Sequence, residues 1–119
     1  PSVGLSNHSL ASQDGIKADL VAIHLGAKVI ERHFTVLPEH QTRDGKVSIT
    51  KDHLVEMVYF SKLDHDSQKS FLSEHIPDYS MMIGTAQRPL SDTELLNRAY
   101  YRGRFCNKDR DGSQIYNWE

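Results

Sequence analysis

The sequence predicts an α/β fold, and three observations carry that expectation. The run SVGLSNHS reads as a short strand ending in polar residues. Ala18, Val21, Ala22 and Leu25 then recur at helical spacing. VIERHFTV, Val29 to Val36, reads as a second strand begun after a very short connection. A strand, a helix and a strand in that order make a βαβ unit, whose right-handed crossover leaves the strands parallel.

Asp14, ahead of Gly15, is the expected N-cap of a helix over roughly Ile16 to Leu25, and Gly26 stands where a C-terminal glycine ends one. Leu37 to Ile49 reads as a polar loop. Thr50 is placed to cap a helix carrying Leu54, Met57, Val58 and Leu63 and running to about Asp64. Phe71 to Met82 has no clean period and reads as irregular, with Phe71, Leu72 and Ile76 forming at most one turn against the core. Pro89, then Ser91 with Glu94 three residues on, is a capping-box signature for a helix over roughly Asp92 to Tyr101. The tail CNKDRDGSQIYNWE is polar, with Asp111 and Gly112 as a turn signal, and reads as a linker or terminal arm.

The 119 residues suffice for one modest domain, with 38% hydrophobic and 25% charged residues in a globular balance. A net charge of -2 and a pI near 6.4 supply no basic field for a nucleic acid. The short run Tyr100, Tyr101, Arg102 and Arg104 reads as surface in that setting. Cys106 is the one cysteine, which rules out an intrachain disulfide and a cysteine-based zinc site and fits a reducing compartment, the cytoplasm by expectation. No apolar run approaches the roughly 20 residues that span a bilayer, so no membrane partner is expected. The chain opens at Pro1 without an initiator methionine and reads as a piece of a longer polypeptide.

Alternation on a strand puts Val29, Glu31 and His33 on one face and Ile30, Arg32 and Phe34 on the other. Burying a carboxylate beside an imidazole is costly unless they are paired, hydrogen-bonded or metal-bound. Either this is an edge strand with one wet face, or the face does chemistry. Ser6 and His8 share a face at the end of the first strand in the same way. Parallel neighbours lie about 4.8 Å apart, near enough for two imidazoles to grip one divalent ion. Spacing alone leaves open that backbone partners satisfy both histidines. His24 reads as a packed or solvent-facing histidine, and His40, His53, His65 and His75 lack metal-ligand spacing.

The ordered set Val3 to His8, then Leu25 to Thr35 (LGAKVIERHFT), then Arg43 to Ser48 (RDGKVS) resembles the sialic acid (N-acetylneuraminate) synthase family. The resemblance covers Pro1 to about Leu63 and, more loosely, the tail around Gly84, Pro89, Ser91, Glu94 and Asn97. It implies the last quarter of a (β/α)8 barrel, with SVGLSNHS and KVIERHFT as strands seven and eight. Residues 1–70 would be the closing βα units, 71–105 a helical tail packing on the barrel, and 106–119 a linker or terminal arm. It also implies condensation of phosphoenolpyruvate with an N-acetylated amino sugar such as N-acetylmannosamine, giving a sialic-type nonulosonic acid and phosphate. The cofactor implied is a divalent ion, Mn2+ or Mg2+, and the full-length enzyme is expected to be a homodimer.

Residue by residue, His8 and His33 match the family's metal ligands, Ser6 a serine that contacts phosphoenolpyruvate, Glu31 a carboxylate at the reacting centre, and Asp44 an aspartate that contacts the sugar. The family more often has Ser-Asp-His-Thr where this chain has Ser6, Asn7, His8 and Ser9, and Gly-Pro-Asp-His where it has Thr42, Arg43, Asp44 and Gly45. The ligand positions survive both changes, and the second alters the loop that would cover the sugar. A different class of function stays open beside the synthase: a non-catalytic fragment or assembly module that keeps the barrel pattern without turnover.

Overall fold

The computed structural model describes residues 2–85, 88–101, 106–108 and 110–116. The chain divides into two compact units, Pro1–Gly84 and Thr85–Glu119.

In the first unit β1 (Gly4–Asn7) and β2 (Val29–Arg32) pair in parallel, with Gly4 opposite Val29, Leu5 opposite Ile30, Ser6 opposite Glu31 and Asn7 opposite Arg32. The predicted crossover is present and consists of two helices. A single turn, α1 (Ala11–Asp14), precedes α2 (Lys17–His24). Asp14 does not cap α2: it closes α1, its amide donating to the Leu10 carbonyl over 2.9 Å, and Gly15 at φ +54° turns the chain before α2 begins. The far end behaves as expected. Gly26 takes φ +96°, its amide donates to the Ile23 carbonyl, and the Ala27 amide donates to the Ala22 carbonyl, the pair of hydrogen bonds that closes a helix on a glycine.

The buried stripe of α2 is rotated from the predicted one. Asp19, Leu20 and Val21 are buried, whereas Leu25 is 59% exposed. Thr50 caps α3 (Lys51–Ser61) in a reciprocal box: its hydroxyl accepts from the His53 amide and His53 Nδ1 accepts from the Thr50 amide. Met57 and Phe60 are the core residues of α3, while Leu54 and Val58 stay exposed. The stretch read as irregular begins inside a helix, α4 (His65–His75), started by Asp64, whose carboxylate accepts from the Ser67 amide over 2.9 Å. Leu72 and Ile76 close the core with Ile16, Leu20, Val21, Ile49, Met57 and Phe60.

In the second unit α5 (Asp92–Tyr101) starts where the Ser91 and Glu94 box places it. Within the segment read as a linker or arm, β3 (Cys106–Lys108) pairs antiparallel with β4 (Gln114–Tyr116). Arg102 and Arg104 lie outside the described residues. Among the described residues no helix is long and apolar enough to cross a membrane.

Candidate active site

Alternation assigns each face of the strand pair a separate task. Ile30 packs against the core, and Asn7 and the Arg32 side chain are buried on that same side. Gly4, Ser6, His8, Val29, Glu31 and His33 share the opposite face. A side chain at Gly4 would press on the Val29 carbonyl and Cβ, so glycine there lets β1 and β2 close up.

Continuing the register by one step beyond Asn7 and Arg32 sets His8 beside His33. Their Nε2 atoms are 3.2 Å apart, with ring centroids 5.0 Å apart and the rings edge to face. Two ring nitrogens that each sit about 2.1 Å from one ion, at an angle of roughly 90–110°, lie about 3.0–3.4 Å apart. The observed separation fits two adjacent ligand positions on a single ion, and it is equally the length of an N–H···N hydrogen bond between two neutral rings. Among the described residues no three His, Cys, Asp or Glu side chains gather as a ligand group.

The loop after β2 curls back to this point. The Ile49 amide donates to the His33 carbonyl over 2.8 Å and the Thr35 amide to the Ile49 carbonyl over 3.0 Å, so the loop's return strand stiffens the backbone around His33. Gly45 packs so tightly on the Glu39 carbonyl that no Cβ fits, so glycine is what this turn of the loop, next to Asp44, requires. Asp44 Oδ2 stands 3.7 Å from His33 Nδ1, beyond hydrogen-bond length but within ion-pair range. Of the five residues singled out in the sequence, the fold thus brings His8, His33 and Asp44 together. Ser6 and Glu31 face each other in register one step back along the same strands, both exposed.

Sequence reasoning missed the cluster on the reverse face. Asn7 Nδ2 donates to Asp19 Oδ1 over 2.9 Å. Arg32 donates from Nη1 to the Asn7 carbonyl and the Ser9 hydroxyl, each 3.1 Å away, and from Nη2 to the Gly15 carbonyl at 2.9 Å. Its Nε lies 3.7 Å from Asp19 Oδ2, and among the described residues neither of those two atoms has a hydrogen-bond partner. Burial pushes the Asp19 carboxyl above its ordinary range, while the Asn7 hydrogen bond and the Arg32 charge pull it partly back. A signal was there to read: Asp19 sits three residues after Ile16 and four before Ile23, on an apolar face.

The NeuB family model matches residues 1–68. The chain belongs to the NeuB family. Two pseudaminic acid synthases of Campylobacter jejuni are similar to this NeuB chain over 117 residues: that of serotype O:23/36 is 28% identical and that of serotype O:2 is 27% identical. Each match covers 98% of the chain, and the chain spans 29% of the length of each relative. No solved structure matches.

Proposed function

We propose that this chain supplies the metal-holding and substrate-holding strand ends of an enzyme that condenses phosphoenolpyruvate with an N-acetylated amino sugar, giving a nonulosonic acid and phosphate. The observation that carries the reading is the 3.2 Å separation of His8 and His33 Nε2 on the open face of two parallel strands, in a NeuB chain. The two strands are then neighbours in a (β/α)8 barrel, with residues 1–70 as its closing βα units, 71–105 as the helical tail and 106–119 as the connecting arm. Active groups at the C-terminal strand ends are the rule in that architecture. The full-length enzyme works as a homodimer in the cytoplasm, the latter in keeping with a single cysteine.

His8 and His33 would hold Mn2+ or Mg2+, which when bound supplies Lewis-acid polarisation of the sugar aldehyde. Ser6 contacts phosphoenolpyruvate. Asp44 accepts hydrogen bonds from the sugar hydroxyls and sets the sugar's orientation. C3 of phosphoenolpyruvate bonds to the aldehyde carbon, whose oxygen takes the C=O pair and a proton; water adds at the pyruvyl C2 and gives up its protons, and the C2–O bond breaks to release phosphate and leave the 2-keto group. Glu31 faces that centre and accepts a hydrogen bond from the incoming water. The names of the two relatives favour a pseudaminic-type product over N-acetylneuraminate itself.

The test is phosphate release by the full-length protein from phosphoenolpyruvate with N-acetylmannosamine or another N-acetylated amino sugar, after chelation and after Mn2+ is restored. Turnover should need the ion and vanish in His33→Ala at an unchanged melting temperature, since trimming a ligand at a strand end opens little core volume. Full activity of that variant after exhaustive chelation would overturn the metal assignment. A folded wild-type protein that turns over neither sugar with Mn2+ present would favour the assembly-module reading.

A further inference from the structure

The assignment of His8 and His33 leaves Arg32 unexplained. A guanidinium whose side chain is 3% exposed and which meets three acceptors is a costly thing to bury next to a functional strand end. Two of its acceptors, the Asn7 carbonyl and the Ser9 hydroxyl, belong to the residues on either side of His8. The third, the Gly15 carbonyl, lies just past the end of α1, the single helical turn that follows His8. The Ser9 amide in turn donates to Asn7 Oδ1 over 2.9 Å, and Asn7 Nδ2 reaches Asp19 on α2. Arg32 itself immediately precedes His33.

We infer that Arg32 is a positioning residue that sets the His8 to His33 separation from the reverse side of the sheet. One planar fork holds the Asn7 carbonyl and the Ser9 hydroxyl on either side of the first histidine while its own backbone carries the second, so the two stems that carry the rings cannot separate without breaking hydrogen bonds to a buried cation. A lysine ammonium is a single point charge and cannot span three acceptors in fixed directions. This inference rests on the reading that the two histidines hold a divalent ion, and it concerns affinity for the ion rather than the reaction.

The experiment is Mn2+ binding to the metal-free full-length protein, followed by electron paramagnetic resonance of free Mn2+, with melting temperature measured alongside. Arg32→Lys keeps the positive charge beside Asp19 and should weaken Mn2+ about 10- to 100-fold, the usual cost of losing a residue that orients a metal ligand. Ser9→Ala, a milder change that keeps the fork, should weaken it several-fold and serves where Arg32→Lys fails to fold. Met57→Ala, a core truncation on α3, should lower the melting temperature and leave Mn2+ affinity as it was. Wild-type affinity in both Arg32→Lys and Ser9→Ala, with binding lost in His33→Ala, would overturn the role of Arg32 alone. The same holds if Met57→Ala weakens Mn2+ as much as Arg32→Lys does. If His33→Ala binds Mn2+ like the wild type, the metal reading itself fails and the inference falls with it.

Discussion

Two arginine–carboxylate contacts in this chain follow opposite rules. In the second unit Arg88 grips both oxygens of Glu94, at 2.8 and 2.6 Å, with side chains 62% and 38% exposed. In the first unit Arg32 Nε stands 3.7 Å from Asp19, with side chains 3% and 0% exposed. The shorter contact is the weaker constraint on the fold, because water competes for both of its partners and salt screens it. The longer one holds charges that have nowhere else to go. The carboxylates record the difference: burial drives Asp19 upward from its ordinary range, whereas Arg88, with help from the Ser91 amide and hydroxyl, draws Glu94 down to about 2. Distance does not rank these pairs; their surroundings do.

The largest effect should come from breaking the buried pair. Asp19→Ala leaves Arg32 buried without its counter-charge and Asn7 without its acceptor, which should cost about 3–5 kcal/mol of stability. Asp19→Asn keeps an acceptor for Asn7 and should cost distinctly less. Urea unfolding of the full-length protein measures both. Because burial raises the Asp19 carboxyl, the native state takes up the proton before the unfolded chain does, so the cost of the ionised form is present at neutral pH and is relieved on acidification. Equal and small losses in the two variants would mean that the pair constrains nothing.

The same contrast explains what could be read from the sequence. Strand alternation and the spacing of parallel strands are local rules, so two histidines at matching strand ends were legible, and so were the Thr50 and Ser91 caps and the Gly26 stop. Asp19 and Arg32 were not, because their pairing crosses from a helix to a strand and sets charges on faces whose pattern calls for apolar residues. The tilt of the α2 stripe came from the same source, since a buried aspartate is counted as polar when the face is drawn. Helix α4 has little apolar period to read because its buried apolar residue Leu72, the partly buried Phe71 and the flanking Ile76 all stand at its end, although Asp64 with Ser67 three residues later marks its start. Asp44 is legible through the resemblance alone, because its approach to His33 depends on how the loop after β2 folds back, which no periodicity records.

His33 and Asp44 form the intermediate case, 3.7 Å apart with side chains 39% and 55% exposed. The Asp44 carbonyl takes up the loop's hydrogen bonds, from the Ser48 hydroxyl at 2.7 Å and the Val47 amide at 3.2 Å, and its carboxylate faces the His33 ring. Charge-assisted bonds to sugar hydroxyls are worth about 1.5–3 kcal/mol, so on the proposed function Asp44→Ala in the full-length protein should weaken use of the sugar roughly ten- to a hundredfold and spare phosphoenolpyruvate. Steady-state kinetics against both substrates checks this. Rescue by Asp44→Asn, or equal loss for both substrates, would make Asp44 a turn residue instead.

The smallest effect belongs to the exposed pair, and it should appear as a titration before it appears as stability. Glu94 has an ordinary value of 4.5 and is drawn to about 2, chiefly by the two Arg88 hydrogen bonds and then by the Ser91 amide and hydroxyl. Its folded value is depressed, so its contribution to α5 is complete above the ordinary value and is lost as pH falls through about 2. Carboxyl carbon shifts of Glu94, followed by NMR in the full-length protein, give the midpoint directly. Arg88→Gln should return that midpoint toward the ordinary value and loosen the first turn of α5, because the carboxylate then keeps only the Ser91 side of the box. High salt should move the wild-type midpoint in the same direction by a smaller amount, as expected for a solvent-facing charge pair. Glu94→Gln should leave the urea midpoint of the first unit where it was, in contrast to Asp19→Ala. A wild-type midpoint near the ordinary value would show that the short contact with Arg88 does not persist in solution, and the comparison would then rest on the buried pair alone.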